Sequence, residues 1–175
     1  MTQMRPTRPG LSRRNLLAAG IAGLLLPRAG RAATARQITW EDLIPEGVPY
    51  GEIIGEGEMD EANDTWRPIY DANASKLNMA LDGVTVRLPG YIIPVDLGAD
   101  GVTSFVLVPY VGACIHVPPP PANQLVFVTT EKPWPNDYLW DPVWVTGPLK
   151  ADMKSTDLAE IGYSIVAETL EVYQW

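Results

Sequence analysis

The sequence is poor in the side chains that carry out covalent and metal chemistry: its 175 residues include one cysteine and one histidine. A single cysteine excludes an intramolecular disulfide, so in an oxidising compartment Cys114 has to be buried, metal-bound, reactive or paired between chains. Basic side chains are also scarce beyond the start of the chain. Six of the thirteen Lys and Arg precede Arg36, whereas all twenty-one Asp and Glu follow it. Residues 36–175 therefore hold seven basic and twenty-one acidic side chains, a formal charge of −14. Such a surface repels phosphate backbones, which excludes nucleic acid as an expected partner and favours cations or a basic protein surface. There is no internal repeat and no long low-complexity tract. The apolar run from Leu16 to Leu26 is too short to cross a bilayer comfortably.

That run belongs to a targeting signal. Arg13 and Arg14 stand directly before it in "SRRNLLAAGIAGLLLP", and the small residues of "RAATA" offer an A-x-A-like cut after Ala35. Paired arginines in this position are the twin-arginine address of a pathway that exports folded proteins. The expectation is a signal peptide over residues 1–35, one domain over 36–175, and a periplasmic protein that meets the membrane only through a partner. An uncleaved anchor is the competing reading, and the length of the run speaks against it.

After the cut, Thr39 is placed to cap a short turn carrying Glu41 and Asp42, and Pro45 stops it. From Glu46 to Pro68 glycine, proline and acidic residues follow neither helical nor strand period, which reads as an extended lead-in with loops. Its carboxylates lack the spacing of a calcium loop and are expected to be a solvated face. Strand signals begin after the Asp82-Gly83 turn, where Val84, Val86 and Leu88 alternate with Thr85 and Arg87. Pro89 and Gly90 predict a bend, and "YIIPV" resumes the strand as an edge or barrel corner. Phe105 to Val111, "QLVFVTT", "DPVWVTGPL" and "GYSIVAETLEVYQW" supply four more runs, with one short helical possibility at "TDLAEI". Five runs separated by Gly and Pro turns predict a small, mostly antiparallel all-β barrel of OB-like type. A β-sandwich is the alternative, because run spacing does not determine how a sheet closes.

The lone cysteine and the lone histidine stand together in "GACIHVPPPPANQ". On an extended backbone Cys114 and His116 point to the same side, with Cα atoms about 6.6 Å apart, so both can reach one atom. A thiolate and an imidazole suit zinc, and less well here copper(I). Two donors are half a zinc site, so carboxylates, water or another chain would have to complete it; Met59 and Met79 are conceivable thioether donors to copper. Two other readings stay open: a reactive thiol with His116 as its partner and Asn123 orienting it, and a purely structural element. Pro118, Pro119, Pro120 and Pro121 cannot pair as a central strand and are expected to form a rigid surface segment able to bind a partner. Tyr91, Tyr110, Trp134 and Trp140 are candidates to sit near it, with core packing as their ordinary role.

"RLPGYIIPVDL", "SFVLVPYVGACIHVPPPPANQLVFV" and "PVWVTGPLK" closely resemble a family of exported bacterial proteins classed as a domain of unknown function, from about "ITWEDLIP" to "YSIVAETLEVY". Gly112, Cys114, His116 and Pro118 to Pro121 match its most distinctive motif. Members of that family are often encoded beside ABC-type permeases, some under zinc-responsive control. The resemblance implies a periplasmic accessory protein in metal homeostasis, with zinc as the expected metal, acting with an ABC-type transporter, and it transfers no catalytic residue. A twin-arginine leader adds folding before export, which would permit metal loading in the cytoplasm or simply reflect rapid folding. The expectation is a non-enzymatic factor using Cys114 and His116. A non-metal module that regulates a transporter through its proline edge, and a thiol-dependent enzyme, are the alternatives.

Overall fold

The chain divides into two units, Met1–Ala32 and Ala33–Trp175. The computed structural model describes residues 34–61, 65–111, 119–139, 141–156 and 159–173, all in the second unit. The expected signal peptide lies almost wholly outside the described residues. Among those residues no helix is long and apolar enough to cross a membrane.

Nine strands are described: β1 (Arg36–Gln37), β2 (Glu58–Asp60), β3 (Thr65–Arg67), β4 (Thr85–Pro94), β5 (Val102–Val108), β6 (Val126–Trp134), β7 (Val143–Ser155), β8 (Glu160–Ala167) and β9 (Thr169–Val172). Five of them close a barrel in the order β4-β5-β6-β8-β7 and back to β4. β6 and β8 run parallel, and every other neighbouring pair in the ring is antiparallel. This is the OB-like barrel expected from the sequence. The added strands extend one side of it, with β1 parallel on β4 and β9 antiparallel on β7.

Closure depends on two long strands that change partners partway along. β4 pairs with β7 from Thr85 to Gly90 and with β5 from Tyr91 to Pro94, so the predicted bend at Pro89-Gly90 is the barrel corner. A Cβ on Gly90 would lie 2.8 Å from Leu107 Cγ and from the Val108 carbonyl, and no side chain fits there. Trp40 covers this corner, its Nε1 donating to the Pro89 carbonyl at 2.7 Å. β7 turns in the same way: Val143–Thr146 pairs with β9, and the strand from Leu149 onward pairs with β8. At the handover a Cβ on Gly147 would lie 2.3 Å from the Val166 carbonyl. Glycine at both corners lets backbones approach where any other residue would force them apart.

The interior follows the predicted alternation. Val86 and Leu88 of β4, Phe105 and Leu107 of β5, and Val143 and Val145 of β7 are fully buried in one core, while Arg87 and Trp144 face outward at half exposure. β5 is buried on both faces as its unbroken apolar run predicts, because Val106 and Val108 join a second cluster with Leu125 and Ile161. The lead-in supplies Ile38, Leu43 and Leu81 to the main core. Tyr163 pins it there, its hydroxyl donating to the Leu43 carbonyl at 2.6 Å and accepting from the Asn78 amide at 2.6 Å. Burial raises that phenol to about 12, so it stays a neutral donor throughout the ordinary pH range.

Four expectations need correction. The stretch Glu46 to Pro68 is not only loop, because β2 and β3 pair there as a separate two-stranded sheet. The last run is two strands, since the chain breaks at Glu168 to follow β7 around its bend, with the Glu168 amide donating to Thr146. At "TDLAEI" no helix extends to its end, because Glu160 and Ile161 open β8 and Thr156 closes a turn onto Ala159. Thr39 does not cap the 3-10 turn Glu41–Leu43 with its side-chain oxygen. The bond runs the other way, with Thr39 N and Oγ1 both donating to the Asp42 carboxylate, chiefly through the backbone, which lowers the Asp42 pKa.

Candidate functional site

The β5–β6 connection carries the Cys-Ile-His-tetraproline stretch. Gly112, Cys114, His116 and Pro118 lie outside the described residues. The two ends of the connection are described, and they show what holds it. On the upstream side Tyr110 packs with Tyr91 and Ile93 against the cluster of Val106, Val108, Leu125 and Ile161. Val111 beyond it is 57% exposed.

On the downstream side the chain is clamped to the lead-in. The Tyr70 hydroxyl donates to the Pro119 carbonyl at 2.7 Å. The Asn123 amide donates to the Ala74 carbonyl at 2.9 Å, and its side-chain Nδ2 donates to the carbonyls of Asn73 and Lys76 at 2.9 and 3.2 Å. Gln124 Nε2 reaches the Trp40 carbonyl at 3.0 Å. Asn123 is fully buried, and its Oδ1 is an acceptor without a hydrogen-bond partner among the described residues. A buried acceptor of this kind calls for a donor from water or from a bound group.

The proline segment is less of a surface than the sequence predicts. Pro119 is half-buried, and Pro120 and Pro121 are buried. The physical reason is that proline has no amide hydrogen, so burying it leaves no donor unsatisfied, and the Tyr70 hydroxyl satisfies the carbonyl of Pro119. The 3-10 turn Ala122–Gln124 that follows is buried throughout. A Cβ on Gly162 would lie 2.7 Å from the Ala122 carbonyl, so β8 packs directly beneath this turn.

Three phenols stand close enough at this end for their ionised forms to oppose one another. Burial first, then the neighbouring Tyr50 and Tyr110, pushes Tyr70 up to about 12; burial and Tyr110 also raise Tyr50. Tyr50 and Tyr70 are therefore neutral at pH 7. They offer hydroxyls rather than charge, and that of Tyr70 is bonded to Pro119 at the downstream end of the connection. The other residues singled out in the sequence are dispersed. Met59 and Met79 are 60% and 61% exposed on separate elements, Trp134 belongs to the main core, and Trp140 lies outside the described residues. Among the described residues no group of three or more His, Cys, Asp or Glu could hold a metal ion.

A second concavity lies on the outer face where β4, β7 and β9 meet, an open groove of about 470 Å³ lined by Arg87, Trp144, Glu171 and Val172. The Arg87 guanidinium lies 4.1 Å above the Trp144 ring and pairs with Glu171 at 3.2 Å, while Tyr173 stacks on Trp144 at 5.0 Å. Each of these groups is already engaged by another. Only the outward parity of Arg87 hinted at this arrangement in the sequence.

The model of the family described as a protein of unknown function, DUF3299, matches residues 40–172. The chain belongs to the DUF3299 family. A crystal structure of a DUF3299 family protein from Pseudomonas aeruginosa PAO1 is similar, with 37% identity and a TM-score of 0.66 over 81% of this chain and 97% of that one. No curated protein matches the chain. The DUF3299 match spans the barrel and both ends of the Cys-Ile-His connection.

Proposed function

We propose that this DUF3299 protein is a non-enzymatic periplasmic accessory factor in metal homeostasis, exported by the twin-arginine pathway, that binds zinc through Cys114 and His116 and works beside an ABC-type transporter. The observation that carries the reading is the placement of the only cysteine and the only histidine two residues apart in one connection. The downstream end of that connection is held to the lead-in through Tyr70, Asn123 and Gln124, and upstream of it Tyr110 packs on the barrel cluster of Val106, Val108, Leu125 and Ile161. A thiolate and an imidazole are the donor pair that zinc and copper(I) accept. The pair fits a metal in kind but not in number, so water, a carboxylate or a second chain supplies the remaining donors. An incomplete set of that sort suits reversible binding better than a permanent structural site.

The test is a zinc and copper(I) titration of residues 36–175, purified reduced and metal-free, beside C114S and H116A. Binding that both variants lose would establish the site, and its stoichiometry would show whether two chains share one ion. Binding unchanged in C114S would sink the reading. The competing interaction module that uses its proline edge is weakened by the burial of Pro120 and Pro121. The thiol-enzyme reading would require a depressed thiol pKa, measured by the pH dependence of Cys114 alkylation.

A further inference from the structure

One part of the described chain leaves large apolar side chains in water although the same chain has a core to bury them in. Between the bridge Ile53–Tyr70 and the pair Met59–Trp66 the lead-in forms a two-stranded arm, and β2 and β3 at its outer end pair only with each other. Ile53, Ile54, Met59 and Ile69 are 41%, 52%, 60% and 45% exposed. Ile54 and Ile69 are neighbours across the arm, joined by an amide-to-carbonyl bond of 2.7 Å. Exposed apolar residues are unremarkable when scattered, but a cross-strand pair such as Ile54 and Ile69, with Met59 exposed further along the same arm, marks a contact surface.

The arm is also built to keep its shape. Gly55 and Gly57 have φ of +91° and +74°, a conformation that favours glycine. Trp66 lies over Gly57 so closely that a Cβ there would be 2.4 Å from its Nε1, and that nitrogen donates to the Glu56 carbonyl at 2.9 Å. A two-stranded ribbon has little stability of its own, so these devices hold in place a surface that the barrel does not cover.

Charge identifies what would cover it. From Glu46 to Asp71 the sequence holds eight acidic residues and one basic residue, Arg67. We propose that the described strands of this arm, residues 53–61 and 65–70, are the docking surface for a protein partner that presents an apolar patch rimmed by lysine and arginine. Apolar contact would hold the complex and the acidic rim would steer it. A second copy of this chain offers no such rim, since residues 36–175 carry seven basic against twenty-one acidic side chains. An anionic bilayer surface repels the arm for the same reason. The inference rests on the accessory-protein reading for the existence of a partner and is independent of its metal.

The test places p-benzoylphenylalanine at position 54 of the full chain in the host that encodes it, with position 166 as the control, because Val166 is 62% exposed on the barrel. After irradiation the adducts are identified by mass spectrometry. The expected result is a discrete protein adduct from position 54 that is absent from 166 and whose linked peptide lies in a lysine- and arginine-rich segment. Ile69→Glu and, separately, Met59→Glu should cut its yield roughly tenfold or more, and raised salt should lower it, with thermal unfolding unchanged. An adduct with a second copy, with lipid or with an acidic segment, or no adduct distinct from the control, would overturn the proposal. Zinc titration of the arm variants separates the two readings: docking lost with metal binding intact leaves the metal site standing, and a failed titration leaves the arm result unaffected.

Discussion

The barrel and the arm are both made of paired strands, yet they treat their apolar side chains in opposite ways. The barrel closes on itself, so Phe105, Leu107 and Val145 are fully buried and each strand finds a neighbour on both sides. The arm has two strands and no second layer, so Ile54 and Ile69 pair across it and remain about half exposed. Closure, not composition, makes the difference. A strand pair buries a face only when another sheet or helix lies against it. Stability should therefore reside in the barrel, and the arm's side chains are available for contacts outside the fold.

That division is sharpest in a pair of truncations. Phe105→Ala removes a fully buried ring from the main core and should cost about 3–5 kcal/mol in chemical denaturation. Ile69→Ala on the arm should change the same measurement by roughly 0.5 kcal/mol or less, because its side chain keeps few contacts to lose. Equal losses in the two variants would mean that the arm is part of the folding unit and would break the comparison.

Between these extremes lies the lead-in, which is pinned to the barrel by single polar groups. Tyr163→Phe keeps the ring in the core but removes the hydroxyl that joins the Leu43 carbonyl to the Asn78 amide. Both partners are then left short of a bond in a buried place, and the expected loss is about 1–3 kcal/mol. Hydrogen exchange should also show faster exchange at Asn78 and around Leu43 than across β6. Protection unchanged at those amides would show that apolar packing of Leu43 and Leu81 alone holds the lead-in down.

The barrel was legible in the sequence because each of its strands carries its own signal. Val84 to Leu88 alternates, Phe105 to Val108 is apolar without a break, and Pro89-Gly90 marks the corner. The arm was not legible, since strands of three residues, the first preceded by Gly55 and Gly57, leave no period to read. The break at Glu168 was hidden for the opposite reason: alternation continues through it, and only the bend of β7 ends the strand. The site was legible in part. Cys114 and His116 stand out by their rarity, whereas the clamp made by Tyr70, Asn123 and Gln124 consists of contacts 47 to 84 residues apart that leave no local trace.

The smallest expected effect concerns how the barrel uses a carboxylate, in contrast to the acidic rim of the arm. Asp96, just after β4, accepts hydrogen bonds from the Thr103 hydroxyl and from the amides of Thr103 and Ser104, both at 2.9 Å. The Thr103 hydroxyl and then these amides hold its pKa down from the ordinary 3.8 to about 2. A depressed carboxylate favours the folded state when ionised, so its contribution is fully present above the unfolded value of 3.8. It fades as the pH falls from there through about 2. Asp96→Asn cannot titrate, so the difference in melting temperature between wild type and variant should be constant from pH 7 to about 5 and shrink as the pH falls toward 2. Other acidic groups affect both proteins alike and cancel in that difference. A gap that stayed constant down to pH 2 would mean that the amides of the β4–β5 turn bind a neutral carboxyl as well as an ionised one, and that this turn is held by backbone pairing instead.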